Sequence, residues 1–561
     1  MAKVFEKFSA LESNNTDPRT RRYITPKRIV YTQGGVSGSE VLLTERSNQI
    51  SLFGLEKCVL ENKPGQPHAA VLVDFGIEIA GSLRIMAWQV RGEKEETARL
   101  LIRLGESVSE TMTPLGEKNA TNDHANREIV MPINQLSANE TNESGYRFAY
   151  IELLDDDGSV FLKSLQGVFT FRDIEYKGSF ECSDPLLNKI WNTAAYTVHL
   201  CMQEYLWDGI KRDRLVWIGD MHPEVLSILA AFGDQQVIRD SLDLVRDENP
   251  KDLFLNGTAA YSIWWIMIQE MLYRTTGDFE YLSEQREFLV TLMQKLIPLV
   301  DEQGSEQIEG WRFLDWHNEN DPEAKHAGLQ GLMKLGLDTG AELLMILGED
   351  ALAIRCKIVA ERMKNYIPDH KNSKQVAALL TLSGLADAKK MNDEVISRGG
   401  AQGYSTFFGY YILAAKAAAG DFVGALNDIR EYWGAMIKMG ATTFWEDFDL
   451  EWLENAAPID EIVPEGKKDI HGDFGKHCYV NLRHSLCHGW SSGPCAYMSH
   501  YVLGIQPVSH DTYRVDPELS GLEWARGSYP TVYGNIEIEL KRTSEGTAIS
   551  LSAPKEIKII Q

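Results

Sequence analysis

The chain has 561 residues, of which 44% are hydrophobic and 24% charged, and its formal net charge at pH 7 is −25. A chain of this length exceeds what one ordinary hydrophobic core organises, so we expect several domains. The negative field argues against nucleic acid and anionic membranes as partners, because both carry charge of the same sign. A neutral ligand such as a sugar meets no such repulsion.

Two features bear on the compartment. No apolar run approaches the roughly 18 residues of a membrane helix, and residues 1–30 lack the apolar core of a secretory signal. We therefore expect no membrane partner, no signal peptide in this chain, and a cytoplasmic or periplasmic location; the oligomeric state is not indicated. An odd number of scattered cysteines predicts no disulfide framework and favours a reducing compartment. They are Cys58, Cys182, Cys201, Cys356, Cys478, Cys487 and Cys495.

Residues up to about 177 predict strands and turns. Short β-branched or aromatic segments alternate with connections rich in glycine, aspartate and asparagine. The stretch 119–144 predicts a long surface loop that contains one short strand. These segments predict an antiparallel β-sandwich domain over residues 1–180. The predicted strands cover residues 71–76, 81–88, 99–104, 146–153 and 167–171.

Helical periodicity begins at Pro185 and continues, with interruptions, to about Leu503. Four glycine–aspartate pairs punctuate this region, because glycine suits the position after a helix end and aspartate suits the next N-cap. About a dozen helices without a strict repeat predict a closed double ring of helices over residues 181–504. The pairs lie at Gly233 and Asp234, Gly277 and Asp278, Gly348 and Asp350, and Gly420 and Asp421.

The pattern returns to strands after Leu503. Residues 534–541 and 547–552 alternate apolar and polar side chains strictly, with Glu545 and Gly546 at the turn between them. A small C-terminal β domain is therefore predicted over residues 505–561.

One segment, residues 208–220, concentrates charge beside aromatic rings; its sequence is DGIKRDRLVWIGD. Carboxylates at this density beside Trp217 suit protonation of a glycosidic oxygen, since an acid must lie close to the bond while a ring holds the sugar. The alternative is a loop at a helix start, in which Asp213 and Asp220 pair with their own arginines.

A second acidic segment, residues 440–451, follows over two hundred residues later. Thr442 and Thr443 are poor helix formers, so the chain is expected to leave a helix there and to present Glu446 from a turn. An acidic, solvated helix start is the alternative. An inverting glycosidase needs an acid and a base about 6.5 to 9.5 Å apart, and the two segments could supply them.

Six of the thirteen histidines lie between His471 and His510. His484 and His488 have helical metal-ligand spacing, but the sequence offers no obvious third ligand, so we expect no metal. The turn that follows His488 better fits a sugar-binding rim. The sequence contains no phosphate loop, nucleophile elbow or dinucleotide fingerprint, and no cofactor is expected.

These motifs resemble, jointly and in order, the inverting α-L-rhamnosidases of glycoside hydrolase family 78. Residues 208–220 are similar to that family's signature, and residues 440–446 to its general-base segment. The resemblance extends over nearly the whole chain, because residues 74–76, 105–107 and 521–530 are similar to its flanking β domains. It implies a central (α/α)₆ helical barrel flanked by an N-terminal β-sandwich and a small C-terminal β domain.

The resemblance also implies the reaction, namely hydrolysis of terminal α-L-rhamnose with inversion. Asp213 takes the position of the general acid and Glu446 that of the base. The sugar would be bound by residues of the signature and, by looser analogy, by others in the helical region. These binding residues are Asp208, Arg212, Trp217, Asp220, Trp265, Trp311, Trp316 and His488.

The chain departs from the family at the acid. The family's acid is usually glutamate, whereas Asp213 is shorter by one methylene, or roughly 1.5 Å of reach. A misplacement of that size costs about a hundredfold in rate. The departure therefore predicts a shifted backbone, an intervening water, or weak catalysis.

Two other functions are open from the sequence. A hydrolase or lyase for uronic-acid glycosides would need a basic pocket for the substrate carboxylate, which Lys211, Arg212 and Arg214 could form. A non-catalytic sugar-binding protein would explain the shortened acid. Aglycone and linkage specificity depend on loop shape and are not predicted.

Overall fold

The computed structural model describes residues 16–52, 56–94, 96–250, 252–476 and 479–561. Residues 1–15 of the predicted N-terminal domain lie outside the described residues, and so does Cys478. The six cysteines within the described residues are free and buried. Strands occupy the chain up to residue 182, helices dominate from 185 to 502, and strands return after 505. This order agrees with the multidomain α and β architecture that the sequence predicts.

The N-terminal region is built on one ten-stranded sheet with the order β3-β4-β10-β5-β9-β6-β7; β1 pairs with β10, and β2 and β8 pair with β5. The pairs are antiparallel. The strands are β1 (Thr20–Ile24), β2 (Arg28–Gln33), β3 (Gly35–Ser37), β4 (Cys58–Glu61), β5 (Ala70–Arg91), β6 (Thr97–Gly105), β7 (Glu128–Asn134), β8 (Ser137–Glu140), β9 (Ser144–Leu153) and β10 (Ser159–Phe171), and the short helix α1 (Val108–Met112) follows β6.

The long central strand β5 organises this sheet. Two predicted strands, 71–76 and 81–88, are parts of it, joined through a register shift between Asp74 and Ile79. Alternate residues of β5, such as Val71 and Val73, are buried in the same core as Ile151 of β9. The predicted loop 119–144 contains two strands, β7 and β8, rather than one.

The middle region consists of helices joined by short connections and single turns of 3₁₀ or π helix. The helices are α2 (Pro185–Cys201), α3 (Ile218–Ala231), α4 (Gln236–Glu248), α5 (Ala259–Thr276), α6 (Phe279–Glu284), α7 (Arg286–Leu296), α8 (Pro322–Ile346), α9 (Asp350–Arg362), α10 (Lys374–Leu382), α11 (Ala388–Met391), α12 (Gly409–Ala418), α13 (Phe422–Lys438) and α14 (Gly493–Tyr497).

The helix ends follow the predicted chemistry in part. Gly277 and Gly420 adopt positive φ of 69° and 80°, as expected after a helix, and Asp278 and Asp421 cap the next helices by accepting from Tyr281 N and Gly424 N. Two other predicted caps are wrong. Asp234 instead binds Arg239, and α9 starts at Asp350 without a side-chain cap.

Helix contacts run in a circuit. Helix α3 packs on α5, α5 on α8, α8 on α10 and α10 on α12. Helix α12 contacts α14, and α14 in turn contacts α3 and α2. The N-terminal ends of α3 and α5 therefore come close together, which brings residues from both to one cavity.

The C-terminal strands form two small sheets. One has the order β11-β18-β19-β20 and the other β16-β17-β21. Strand β11 precedes the helices yet pairs with β18, so the predicted border at residue 180 falls inside a strand of the C-terminal sheet. The strands of these sheets are β11 (Ser179–Cys182), β16 (Ile505–Ser509), β17 (Thr512–Val515), β18 (Trp524–Thr531), β19 (Gly534–Thr543), β20 (Gly546–Ser552) and β21 (Lys558–Ile560). Within the helical region, β12 (Ala456–Ala457) pairs with β13 (Lys468–Asp469), and β14 (Gly475–Lys476) pairs with β15 (Tyr479–Val480).

A buried ion pair joins the first sheet to the segment that carries Glu446. Arg147 Nε and Nη2 donate to the two oxygens of Asp74 at 2.8 and 3.0 Å, and Nη1 donates to the Gly440 carbonyl at 2.9 Å. Because the pair is buried, the guanidinium compensates a carboxylate that water does not reach.

Among the described residues, no helix has the length and apolar character needed to span a bilayer.

We predict that Arg147→Met lowers the free energy of unfolding by about 3 kcal/mol, because it leaves Asp74 buried with only Arg28 as a charged partner. Urea denaturation followed by tryptophan fluorescence measures the change. The matched control is Arg91→Met, since Arg91 and its partner Asp157 are exposed and such pairs contribute at most about 1 kcal/mol. Equal midpoints for both variants would contradict the assignment.

Candidate active site

The signature segment, residues 208–220, begins with a loop that is closed at its base and sharply turned at its tip. Asp208 closes the base, because its N–H donates to the Leu215 carbonyl at 3.1 Å and its Oδ1 accepts from Leu215 N at 2.9 Å. At the tip, Arg214 N donates to the Arg212 carbonyl at 2.7 Å, around Asp213 with φ of 52°. Such a three-residue turn is tight and strained, and aspartate tolerates the left-handed region better than most residues.

The segment around His488 holds the two acidic segments together. Gly209 and His488 form a β-bridge, and Gly489 N donates to the Asp208 carbonyl at 2.8 Å. On the other side, His488 N donates to the Phe444 carbonyl at 2.9 Å. Backbone hydrogen bonds therefore place the segments carrying Asp208 and Glu446 on either side of the segment that contains His488.

A single guanidinium links the two predicted catalytic carboxylates. Arg212 Nη1 donates to Asp213 Oδ1 at 2.6 Å, and Nη2 donates to Glu446 Oε1 at 2.7 Å, across 234 residues of sequence. Ser485 N donates to the other oxygen, Glu446 Oε2, at 2.9 Å. Burial alone would raise the pKa of Glu446, but Arg212, with His488 and His484, lowers it to about 2. Glu446 is therefore an ionised carboxylate at neutral pH.

The alternative view of residues 208–220 holds only for Asp213, which does pair with its neighbour Arg212. Asp220 pairs with no arginine among the described residues; its Oδ2 accepts from Tyr261 at 3.1 Å. The same arginine that binds Asp213 also binds Glu446, so the pairing belongs to the site rather than to an isolated loop.

One imidazole stands among three buried carboxylates. His488 Nε2 lies 3.6 Å from Asp208, 3.8 Å from Asp220 and 3.5 Å from Glu446. Burial would lower the pKa of His488, but these carboxylates raise it. Burial raises the pKa of Asp208, and it raises that of Asp220 to about 8. A protonated Asp220 beside a charged imidazole offers donors as well as acceptors to ligand hydroxyls.

These groups face two adjoining cavities that share Trp316 and Trp490. Both cavities are narrow, with volumes of about 40 and 10 Å³. The larger is lined by Asp208, Asp213, Trp217, Asp220, Tyr261, Trp311, Phe313, Trp316, His488 and Trp490. The smaller is lined by Asp315, Trp316, His317, Ser405, Thr406, Phe407, Glu446, Asp447, Lys476 and Trp490.

Of the ten residues predicted from the sequence, eight line these cavities and Arg212 lies between the two carboxylates. Trp265 is the exception and is corrected here. Its ring is fully buried and packs edge-on against Phe288, 5.0 Å between centroids. Tyr261, one helical turn nearer the start of α5, takes the place at the cavity.

Several lining residues were missed from the sequence. Asp315 and His317 flank Trp316, and Asp447 follows Glu446, so proximity to a predicted residue was the available signal. Burial raises the pKa of Asp447 to about 6. Tyr261 and Phe313 carry no such signal, since an aromatic residue in an apolar run reads as core.

A buried cluster lies behind the loop. Among the described residues, Glu106, Glu110 and His471 hold potential metal-ligand atoms within 4.8 Å of one another. The ammonium of Lys211 already lies 3.0 Å from Glu106 and 3.2 Å from Glu110, so a protein cation balances these carboxylates. The two histidines considered for a metal diverge, because His484 Nε2 accepts from Asp447 N at 2.9 Å.

Part of the chain matches a known protein family, and most of it is similar to a known protein. Residues 175–331 match the family model described as the bacterial α-L-rhamnosidase six-hairpin glycosidase domain. An α-L-rhamnosidase of Alteromonas sp. (strain LOR) is 22% identical over 464 residues, which cover 74% of this chain and 47% of the relative. The chain thus spans about half the length of that relative.

Two solved structures share the fold. A family 78 rhamnosidase of Bacillus sp. GL1 matches with a TM-score of 0.74 and 20% identity, over 93% of this chain and 55% of the other. A rhamnosidase from Klebsiella oxytoca with rhamnose bound matches with a TM-score of 0.68 and 20% identity, over 86% and 96%. The chain shares the fold of these solved rhamnosidases. It is similar to the α-L-rhamnosidases of glycoside hydrolase family 78, and the resemblance seen in the sequence is confirmed.

The raised pKa of Asp220 makes a prediction about stability. Its folded-state pKa of about 8 lies above the unfolded value of about 3.9, so the folded state holds one more proton between these pH values. The stability of the native protein relative to Asp220→Asn should therefore fall as pH rises from 4 to 8, by on the order of 1 kcal/mol per pH unit. Urea denaturation at pH 5, 6, 7 and 8 measures this slope.

Glu446→Gln is the matched control with the opposite sign. Its folded-state pKa of about 2 lies below the unfolded value of about 4.3. The contribution of ionised Glu446 is fully present above pH 4.3 and is lost as pH falls towards 2, so this variant should show a constant difference from pH 5 to 8. A constant difference for Asp220→Asn as well would refute the predicted protonation.

Proposed function

We propose that this chain hydrolyses terminal α-L-rhamnosides with inversion at the anomeric carbon. The observation that carries the proposal is the Arg212 guanidinium, which binds Asp213 of the larger cavity and Glu446 of the adjoining smaller one. Since a single guanidinium reaches both, the nearest carboxylate oxygens are within about 8 Å of each other, a span at which two carboxylates act on one glycosidic bond. The similarity to the family 78 rhamnosidases indicates that the sugar is rhamnose.

Asp213 acts as the acid and Glu446 as the base in this proposal. Asp213 gives its proton to the glycosidic oxygen as the bond to the anomeric carbon breaks. Glu446 takes a proton from the water that adds to the opposite face of the sugar. Among the described residues, no hydrogen bond reaches Asp213 Oδ2, which leaves that oxygen for the substrate.

The remaining groups are proposed to hold the rhamnose ring. Trp217, Trp311, Trp316 and Trp490 provide apolar faces for the sugar C–H groups and methyl group. Asp208, Asp220 and His488 provide hydrogen bonds to its hydroxyls. A neutral sugar also agrees with the negative charge of the chain.

The backbone of the turn accounts for aspartate in place of glutamate. With φ of 52°, the turn advances the Asp213 carboxyl at the tip of the loop, and a short polar side chain suits this conformation. Of the three predicted consequences of the shorter acid, the shifted backbone is the one we propose.

We also propose the finer architecture implied by the family. The helical region would close as an (α/α)₆ barrel, between an N-terminal β-sandwich domain (residues 1–180) and a C-terminal β domain (505–561), with 181–504 as the catalytic domain. The circuit of helix contacts from α3 to α14 supports the ring. Strand β11 would belong with the C-terminal domain, because it pairs with β18.

The basic pocket needed for a uronic-acid substrate is not favoured by the contacts. Lys211 is buried against Glu106 and Glu110, and the Arg214 guanidinium lies over the Trp207 ring at 4.6 Å. Neither of them lines the cavities. A non-catalytic sugar-binding protein is the outcome left if the following experiment finds binding without turnover.

The test is hydrolysis of aryl α-L-rhamnosides, with the anomeric proton of the released sugar followed by NMR. We expect β-L-rhamnose first, and a loss of about a thousandfold in kcat for Glu446→Gln with rhamnose binding retained. Asp213→Asn should lose far more activity on a substrate with a poor leaving group than on a nitrophenyl rhamnoside, because only the former needs the proton.

Glu454→Gln is the matched control, since it makes the same chemical change at an exposed position near the base. It should keep native kcat. Full activity of Glu446→Gln would overturn the base assignment, and release of α-L-rhamnose first would overturn inversion. Rhamnose binding by calorimetry without hydrolysis of any rhamnoside would replace the enzyme by a binding protein.

A further inference from the structure

One histidine outside the predicted site contacts the acid. His124 lies between α1 and β7, in the stretch that the sequence presents as a surface loop, and its own φ is 65°. Its Nδ1 is 2.8 Å from the backbone nitrogen of Asp213 and 3.0 Å from Asp213 Oδ1. The imidazole therefore touches the group that must carry a proton for catalysis.

These two contacts require a proton between His124 and Asp213. When Asp213 N–H donates to Nδ1, the ring presents a lone pair there, and a lone pair 3.0 Å from an ionised Oδ1 would repel it. The contact is attractive when Asp213 is protonated and the ring neutral, or when the ring is protonated and Asp213 ionised. The pair thus holds one proton in either of two places.

The other side of the ring leads to solvent. His124 Nε2 lies 3.3 Å from Asp123 Oδ1, and Asp123 is bound by Arg483 at 2.5 Å. The side chain of His124 is 39% exposed, whereas that of Asp213 is 13% exposed. The charged groups around the ring are Asp123, Asp213, Arg212 and Arg483. Water thus reaches the imidazole more readily than the acid.

The catalytic cycle requires a group that returns a proton to Asp213. After each hydrolysis, Asp213 has lost its proton to the departing alcohol, and its Oδ1 accepts a hydrogen bond from Arg212 Nη1 at 2.6 Å. The acid must regain a proton before the next reaction. Histidine is the side chain suited to exchange protons with water near neutral pH.

We propose that His124 is a proton-relay residue that reloads Asp213 between turnovers. The imidazolium Nδ1–H gives its proton to Asp213 Oδ1, the N–H bond breaks as the O–H bond forms, and the neutral ring recovers a proton from water. Rotation of the carboxyl group about its Cβ–Cγ bond then exchanges the two oxygens, so that the new O–H faces the substrate and the other oxygen takes the place beside Arg212. The proton that Glu446 took from the attacking water leaves to solvent, so the cycle balances. This inference rests on the acid role of Asp213 in the proposed function.

The kinetic test compares the native protein with His124→Asn at pH 7 on an alkyl α-L-rhamnoside, whose poor leaving group needs the proton of Asp213. We expect steady-state kcat to fall about tenfold or more, with a larger solvent deuterium isotope effect. The rate of a single turnover with enzyme in excess should stay within about twofold, because the acid exchanges protons with water before mixing and a single turnover includes no reloading step. Added imidazole should restore kcat in the variant.

His370→Asn is the matched control, as it removes a partly exposed histidine elsewhere in the chain, and it should keep native kcat. An unchanged kcat for His124→Asn overturns the proposal. Equal losses in single-turnover and steady-state rates, without rescue by imidazole, assign His124 a structural role and also overturn it.

A readout without activity separates this proposal from the proposed function. In ¹⁵N-histidine NMR, the His124 signals are assigned by their loss in His124→Asn. We expect the Nδ1 signal of this ring to move in Asp213→Asn, because the carboxylate oxygen that lies 3.0 Å from Nδ1 is replaced. No movement overturns the relay. Movement in a protein that hydrolyses no rhamnoside supports the proton-sharing pair and rejects the hydrolase.

Discussion

The Arg212 guanidinium is the interaction on which the rest of this site depends. Two carboxylates close together in a buried place repel each other and lose hydration, and neither cost is met by water. Arg212 meets both costs, because its planar fork donates to Asp213 and to Glu446 at once. Lysine, with a single ammonium, could not bridge the two in the same geometry. The loop and the helix connection that carry these residues are therefore tied through one side chain.

Lys211, the residue before Arg212, links the loop to the N-terminal β region. Lys211 binds Glu106 and Glu110, which follow β6, while Glu106 also accepts from Leu486 N at 2.6 Å. Ser485, the residue before Leu486, donates its N–H to Glu446 Oε2. Consecutive residues of the loop thus point to opposite partners, one to the second carboxylate and one to the β region. The N-terminal β region is in this way part of the framework of the site, and its His124 reaches the acid as well.

The environment divides the acidic groups by charge. Burial alone would favour the neutral form of each carboxyl group, and the placement of nearby cations decides which of them stay ionised. Glu446 has Arg212 beside it and a pKa of about 2, whereas Asp220 shares only His488 with two other carboxylates and has a pKa of about 8. Two adjoining cavities can thus present an ionised base and a neutral donor to the same sugar, as the proposed chemistry requires.

The sequence by itself determined the order of β, α and β regions, the turn glycines and most of the site, since periodicity, caps and dense charge are local properties. It could not decide which face of α5 meets the cavity, because that helix is apolar nearly all round, and so Trp265 was placed there instead of Tyr261. Nor could it pair β11 with β18 or bring His124 to Asp213. Those contacts join segments far apart in the chain, and only tertiary packing selects among such partners.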